Sequence, residues 1–277
     1  MTSWTDGGST IKTILILSAH QDDECLQTAG VIRSAVLAGD RVFACFATNG
    51  EYEAECDAAV RAEESRLVLQ KLGVSPERIW FLGYADTGMP YADSFLQRLY
   101  RGSNPLVPSR WGRRETWTPD GSDYRYLRSG VHGAYTAGSF RRDLYEVLAQ
   151  TLPDEIYTTA PGDRHGDHDA LGRFTAEAAA ALAGAEAGWK PKLCYYLIHA
   201  DETNAWPDRR AEAFCEPGGL DETPLGRCRA EHRPLPIGFS SGDKRALIDL
   251  YRSQKPEAYG GYLTAFAKRE ELLFWQA

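Results

Sequence analysis

Two short segments of this chain concentrate reactive side chains. His20-Gln21-Asp22-Asp23-Glu24 puts one imidazole and three carboxylates within five residues. It follows the apolar run Ile14-Leu15-Ile16-Leu17, so it stands where a buried strand should end. Charge that dense is costly there unless something positive sits among it. Read alone, the segment is equally well a polar turn opening a helix, because Asp and Glu complement the dipole of a first helical turn. The second segment, His165-Gly166-Asp167-His168, follows another strand pattern, Glu155 to Thr159. Two His/Asp clusters at equivalent strand ends are harder to explain as turns than either one singly.

The spacings suit a metal. His20 and Asp23 can both turn inward from a strand-to-helix turn, and His168 can approach from a neighbouring strand end. Two imidazoles and one carboxylate with an open position form a catalytic zinc set. Fe(II) accepts the same donors, so ligand type alone does not choose the metal. Asp22 is then a carboxylate not needed as a ligand, able to take a proton from an attacking water. His165 could stabilise a tetrahedral oxyanion or protonate a leaving group. Asp167 could bond an imidazole nitrogen and set its tautomer, or simply cap a helix.

The elements that must position these groups alternate. Strands are expected at Lys12 to Leu17, Arg41 to Phe46 and Arg78 to Leu82, separated by helices, the second of which ends at Gly73. Helix–strand order resumes with Phe140 to Leu152, Glu155 to Thr159, a helix carrying Leu171, Phe174, Ala178 and Leu182, and a strand from Lys192 to Ile198. Pro234 to Phe239 reads as an edge strand, with helices over 242–253 and about 259–274. This order predicts an α/β fold: a Rossmann-like, mostly parallel sheet flanked by helices. We read 1–277 as a single domain with two long irregular insertions, at about 90–138 and 199–233. In such a sheet, sites gather at the carboxyl ends of the strands. Asn49-Gly50-Glu51 and Asp86-Thr87-Gly88 end strands as well and belong to the same edge. The first insertion is rich in Arg, Trp and Tyr, which argues against disorder; a loop that long in a compact domain is usually functional.

Composition narrows the classes. The net charge of −8 over 277 residues argues against a nucleic-acid binder. No stretch approaches the roughly 20 apolar residues of a membrane span, and Met1 to Thr10 has no secretory pattern. The six cysteines include no CxxC pair and are expected to be reduced, in a cytoplasmic setting.

Taken together, these residues resemble the PIG-L/LmbE family of zinc-dependent N-acetyl-sugar deacetylases. Ala19-His20-Gln21-Asp22-Asp23-Glu24 stands in place of the family's Ala-His-Pro-Asp-Asp-Glu, and His165-Gly166-Asp167-His168 in place of His-Pro-Asp-His. Thr48 to Glu51, Arg61 to Glu64, Leu82 to Met89, Tyr251 to Gln254 and Glu271 to Phe274 are similar to its other landmarks. The resemblance implies His20, Asp23 and His168 as metal ligands, Asp22 as general base and His165 as the charged partner of the intermediate. It also implies Arg61 and Asp86 as contacts to a sugar hydroxyl or phosphate. Both motif prolines are replaced, by Gln21 and Gly166. Asp163 stands where some members carry a Tyr, so a tyrosine oxyanion donor is not implied.

The expected function is hydrolysis of the N-acetyl group of an N-acetylglucosamine-type small molecule, with Zn2+ or Fe2+ as cofactor. Two alternatives keep parts of this reading: an amide deacylase acting on an antibiotic or thiol precursor, and a non-catalytic sugar- or nucleotide-binding protein. The second is weakened by the absence of GxGxxG after the first strand. The aromatic insertions serve equally as a cover over a ligand or as a contact between copies in a homo-oligomer.

Overall fold

The computed structural model describes residues 10–277 apart from Met89 and Glu202. Residues 1–9 of the polar N-terminal stretch, and Met89 of the Leu82 landmark, lie outside the described residues. The first half of the chain builds β1 (Thr13–Ser18), α1 (Asp23–Leu37), β2 (Arg41–Thr48), α2 (Asp57–Leu72) and β3 (Ile79–Tyr84). Every residue of β1 is buried, which is why its sequence is a continuous apolar run rather than an alternating one. α2 stops at Gly73, whose φ of 100° only a residue without Cβ adopts freely.

After β3 come α3 (Phe95–Arg101) and α4 (Tyr124–Ser129), then α5 (Ala137–Thr151), β4 (Glu155–Thr159), α6 (Gly166–Ala185) and β5 (Lys192–Tyr196). The chain closes with β6 (Arg229–Pro234), α7 (Ser241–Ile248), α8 (Ala258–Gly261) and β7 (Glu270–Trp275). The strands lie in one sheet in the order β3-β2-β1-β4-β5-β7-β6. β3 to β5 are parallel, and β7 runs antiparallel between β5 and β6. From β1 the chain winds toward β3; from β4 it winds the other way. The crevice outside the ends of β1 and β4 is therefore the switch point at which such sheets bind ligands.

The mostly parallel, helix-flanked sheet is the expected one, with four local corrections. The segment expected to be helical over about 259–274 ends in β7. Leu272, Leu273 and Phe274 are buried on both faces, and a short apolar run does not distinguish a buried strand from a buried helix. The edge strand lies at Arg229–Pro234, five residues before the expected start at Pro234. Its Arg229, Glu231, His232 and Arg233 hide the strand pattern, as charges on an exposed edge do. The helix expected over 242–253 stops at Ile248, followed by a single turn at Arg252–Gln254. The first insertion is not irregular throughout: it holds α3 and α4, and Glu115 bridges Ala134.

All six cysteines are free. No helix among the described residues is long and apolar enough to cross a membrane.

Candidate active site

β1 delivers the first cluster and α1 fixes it. The backbone N–H of His20 donates to Asp23 Oδ2 at 2.8 Å, while Asp22 C=O accepts from Cys25 and Leu26 N–H. Closing the turn this way forces Asp22 to φ 144°, ψ −31°, a region costing an L-residue about 1–3 kcal/mol. Asp22 stands at the N-cap position, yet its carboxylate caps nothing. Glu24 does the supporting: Oε2 accepts from Asp22 N–H at 3.0 Å, and Oε1 accepts from the Tyr251 hydroxyl.

The imidazoles meet across the switch point. His20 Nε2 lies 3.2 Å from Asp167 Oδ2, and His168 Nδ1 lies 3.2 Å from Asp163 Oδ2. Each carboxylate takes the ring proton on its own side. The remaining nitrogens, His20 Nδ1 and His168 Nε2, then direct lone pairs at one another across 3.0 Å. Two imidazole nitrogens that close share either a proton or a metal ion. Asp23 Oδ2 completes a triangle, 3.4 Å from His168 Nε2 and 3.8 Å from His20 Nδ1. Donors about 2.0–2.1 Å from a tetrahedral zinc stand about 3.3 Å apart, so the set could hold one ion with shifts of about half an ångström or less. Two further triples, His20–His165–His168 and His20–Asp86–Asp167, also bring their donor atoms within 4.8 Å of one another.

Electrostatics agree with a cation there. Burial presses His168 down, but the Asp23 and Asp163 carboxylates carry it up to about 9. A proton thus occupies the position that a metal would take over, since liganding imidazoles are neutral. Burial and the neighbouring Asp23 charge push Asp22 up to about 7. His165 goes the other way: burial, then the positive charge of His20 and His168, lower it well below the usual imidazole range. Its Nδ1 accepts from Asp167 N–H at 3.2 Å, which places the proton of the neutral ring on Nε2.

Two residues of this cluster were not apparent from the motifs. Asp163, fully buried, accepts from His168 Nδ1, from the backbone N–H of Ile198 and His199 at 3.0 Å each, and, through Oδ1, from His165 N–H. His199, just beyond β5, sets its ring at a tilt 5.2 Å from the ring of His168 and 5.5 Å from that of His165. Four of the chain's six histidines thus form one cluster. Arg164 is exposed.

On the β3 side, Arg61 is buried and paired with Asp86, Nη1 to Oδ2 at 3.3 Å, and Nη2 donates to the Gln21 carbonyl. Asp86 Oδ1 lies 3.9 Å from His20 Nε2. Gln21 Oε1, Asn49 Nδ2, Glu51 Oε1 and Arg61 Nε are buried without a protein partner. Unpaired buried polar atoms are costly, so this corner has hydrogen bonds to offer a bound hydroxyl or water.

The first insertion is fastened to this edge. Trp111 Nε1 and Trp117 Nε1 donate to the carbonyl and carboxylate of Glu51. Tyr91 and Gln97 donate to Asp169, and Leu96 N–H donates to Asp167 Oδ1 at 2.7 Å. Gly166 permits that approach, since a Cβ there would lie 2.1 Å from the Tyr91 carbonyl oxygen. The proline of the motif this segment resembles would meet the same obstacle. Gly166→Ala should therefore lower stability by about 1–3 kcal/mol, the usual cost of overpacking; an unchanged melting temperature would show that the segment at Tyr91 yields freely.

The PIG-L family profile, described as GlcNAc-PI de-N-acetylase, matches residues 15–179, more than half of the chain. The chain belongs to the PIG-L family. The matched span runs from β1 through most of α6 and contains both histidine motifs of this PIG-L protein. No curated protein is matched at a significant level. Among solved structures, the chain is similar to the zinc-inhibited form of teicoplanin deacetylase, with TM-score 0.58 and 15% identity over 95% of this chain and 97% of that one. It is also similar to an antimicrobial pseudoaglycone deacetylase, with TM-score 0.57 and 15% identity over 96% and 97%. A conserved protein from Thermus thermophilus gives TM-score 0.51 and 17% identity over 96% and 94%. At these identities the likeness is one of fold.

Proposed function

We propose that this PIG-L protein is a zinc-dependent hydrolase that removes the acetyl group from an N-acetylglucosamine-type amino sugar or its conjugate. The observation that carries the reading is the 3.0 Å approach of His20 Nδ1 to His168 Nε2, closed into a triangle by Asp23. Family membership supports the reaction class. In this reading His20, Asp23 and His168 would hold the metal, which when bound would supply Lewis-acid polarisation of the amide carbonyl and a more acidic water. Asp163 and Asp167 keep the two ligand rings in the tautomers that bind it.

Asp22 is the general base. Its carboxylate makes no hydrogen bond to a protein group among the described residues, and it lies within the field of His20 and His168. It takes the proton of the attacking water. His165 presents its Nε2 proton to the oxyanion that forms, and a proton then passes from Asp22 or His165 to the departing amine. Arg61 and Asp86 hold the sugar on the β3 side. The six free thiols fit a cytoplasmic enzyme.

The test is direct. Purified protein should carry about one zinc per chain. It should release acetate from N-acetylglucosamine conjugates, lose that activity on chelation and recover it when zinc is restored. Acetate release that survives complete removal of metal would overturn the proposal.

A further inference from the structure

We propose that His199 is a further substrate-binding residue of this site, offering Nε2 to a hydroxyl of the amino sugar on the β5 side. The inference rests on the deacetylase reading and adds a contact that neither histidine motif contains. His199 follows β5, so it emerges at the same sheet edge as the metal-binding turns. Its backbone N–H is held by Asp163 Oδ2, the oxygen that also takes the His168 Nδ1 proton. The ring is thereby registered against a metal ligand.

The two nitrogens of the ring have different surroundings. Nδ1 lies 3.4 Å from Asn204 Oδ1 and 3.3 Å from the Tyr262 hydroxyl. The Tyr262 hydroxyl donates at 2.7 Å to the Ile198 carbonyl, so the proton of the His199–Asn204 contact belongs to Nδ1. Nε2 is left as an acceptor with no partner among the described residues. The ring is half-buried and faces His165 and His168.

Strand order gives this acceptor its place. Arg61 and Asp86 belong to the β3 flank, the metal-binding turns follow β1 and β4, and His199 follows β5. With His199 contributing, a sugar centred over β1 and β4 is bracketed by polar groups on both sides.

The experiment compares Ala, Gln and Asn at position 199 in the zinc-loaded enzyme. His199→Ala should lower kcat/KM by about 3–10-fold, the range for one hydrogen bond between neutral groups, chiefly through KM, with zinc content unchanged. His199→Gln carries a polar atom to the position of Nε2 and should restore most of the loss. His199→Asn mimics only Nδ1 and should not. In an Asp22→Asn background, where turnover is suppressed, the alanine change should weaken binding of an N-acetylglucosamine conjugate by the same factor. Wild-type kinetics in the alanine variant, or rescue by Asn rather than Gln, would overturn the role of Nε2 while leaving the deacetylase reading intact. Absence of acetate release from the zinc-loaded wild type would instead overturn that reading, and this inference with it. Should the alanine variant fail to fold, the comparison of Gln with Asn decides alone.

Discussion

Replacing Asp22 by Asn should leave zinc content unchanged and slow acetate release by about 10²–10⁴-fold, the contribution of a positioned general base. The amide keeps the shape of the side chain and removes the proton acceptor. None of the three donors in the metal triangle belongs to Asp22, so metal affinity has no reason to fall. Glycine at the same position makes a second, opposite measurement possible. Because Asp22 sits at φ 144°, Asp22→Gly relieves backbone strain of about 1–3 kcal/mol, offset in part by glycine's greater freedom in the unfolded chain. The glycine variant should therefore melt no lower than wild type while being as inactive as the asparagine variant. A clear fall in melting temperature would show that the conformation costs nothing, and full activity in Asp22→Asn would remove Asp22 from the mechanism.

The second large effect is expected at Asp163. Asp163→Asn should weaken metal binding by about 10–100-fold, as is typical when the partner of a liganding histidine is lost. An amide retains one acceptor oxygen but can no longer satisfy the His168 ring and the backbone donors with full negative charge. Asp163→Ala goes further, because the N–H groups of His165, Ile198 and His199 all lose their acceptor. Each buried orphan costs about 1–3 kcal/mol, so the alanine variant should lose the order of the β5 end as well as the metal. Metal competition with a chromophoric chelator, read beside thermal melting, separates the two effects. Equal metal affinity in wild type and Asp163→Asn would show that packing alone orients His168.

His20, Asp22, Asp23, His165 and His168 were legible because each cluster is local: strand, turn and first helical turn lie within a few residues of sequence. Asp163 and His199 were not, because what they do depends on β4 and β5 lying side by side. Asp163 in isolation is a turn aspartate. His199 is a lone histidine after an apolar strand, although its position at a strand's carboxyl end was a usable signal. Parallel β1 to β5 followed from the alternation of helix and strand. The antiparallel pair did not: the apolar part of β7, Leu272 to Trp275, is too short to tell strand from helix, and β6 is disguised by edge charges. In the first insertion, α4 carried readable caps, since Asp123 accepts from Tyr126 N–H and Gly130 closes the helix at φ 73°. The surrounding Arg and aromatic residues obscured them, because Trp111, Trp117 and Tyr91 are placed by contacts with Glu51 and Asp169, and Arg113 and Arg125 by pairs with Glu55 and Asp143, rather than by any period.

Asp167 serves two distant parts of the chain with one carboxylate: Oδ2 meets His20 Nε2, and Oδ1 takes the Leu96 N–H at the start of α3. Ion binding and seating of the first insertion are therefore legs of one thermodynamic cycle. Whatever a well-seated insertion adds to affinity for the ion, the ion returns as added order in the insertion, since coupling between two binding equilibria is reciprocal. If the proposed metal site is right, changes that unseat the start of α3, where Leu96 N–H meets Asp167, should register in metal affinity too.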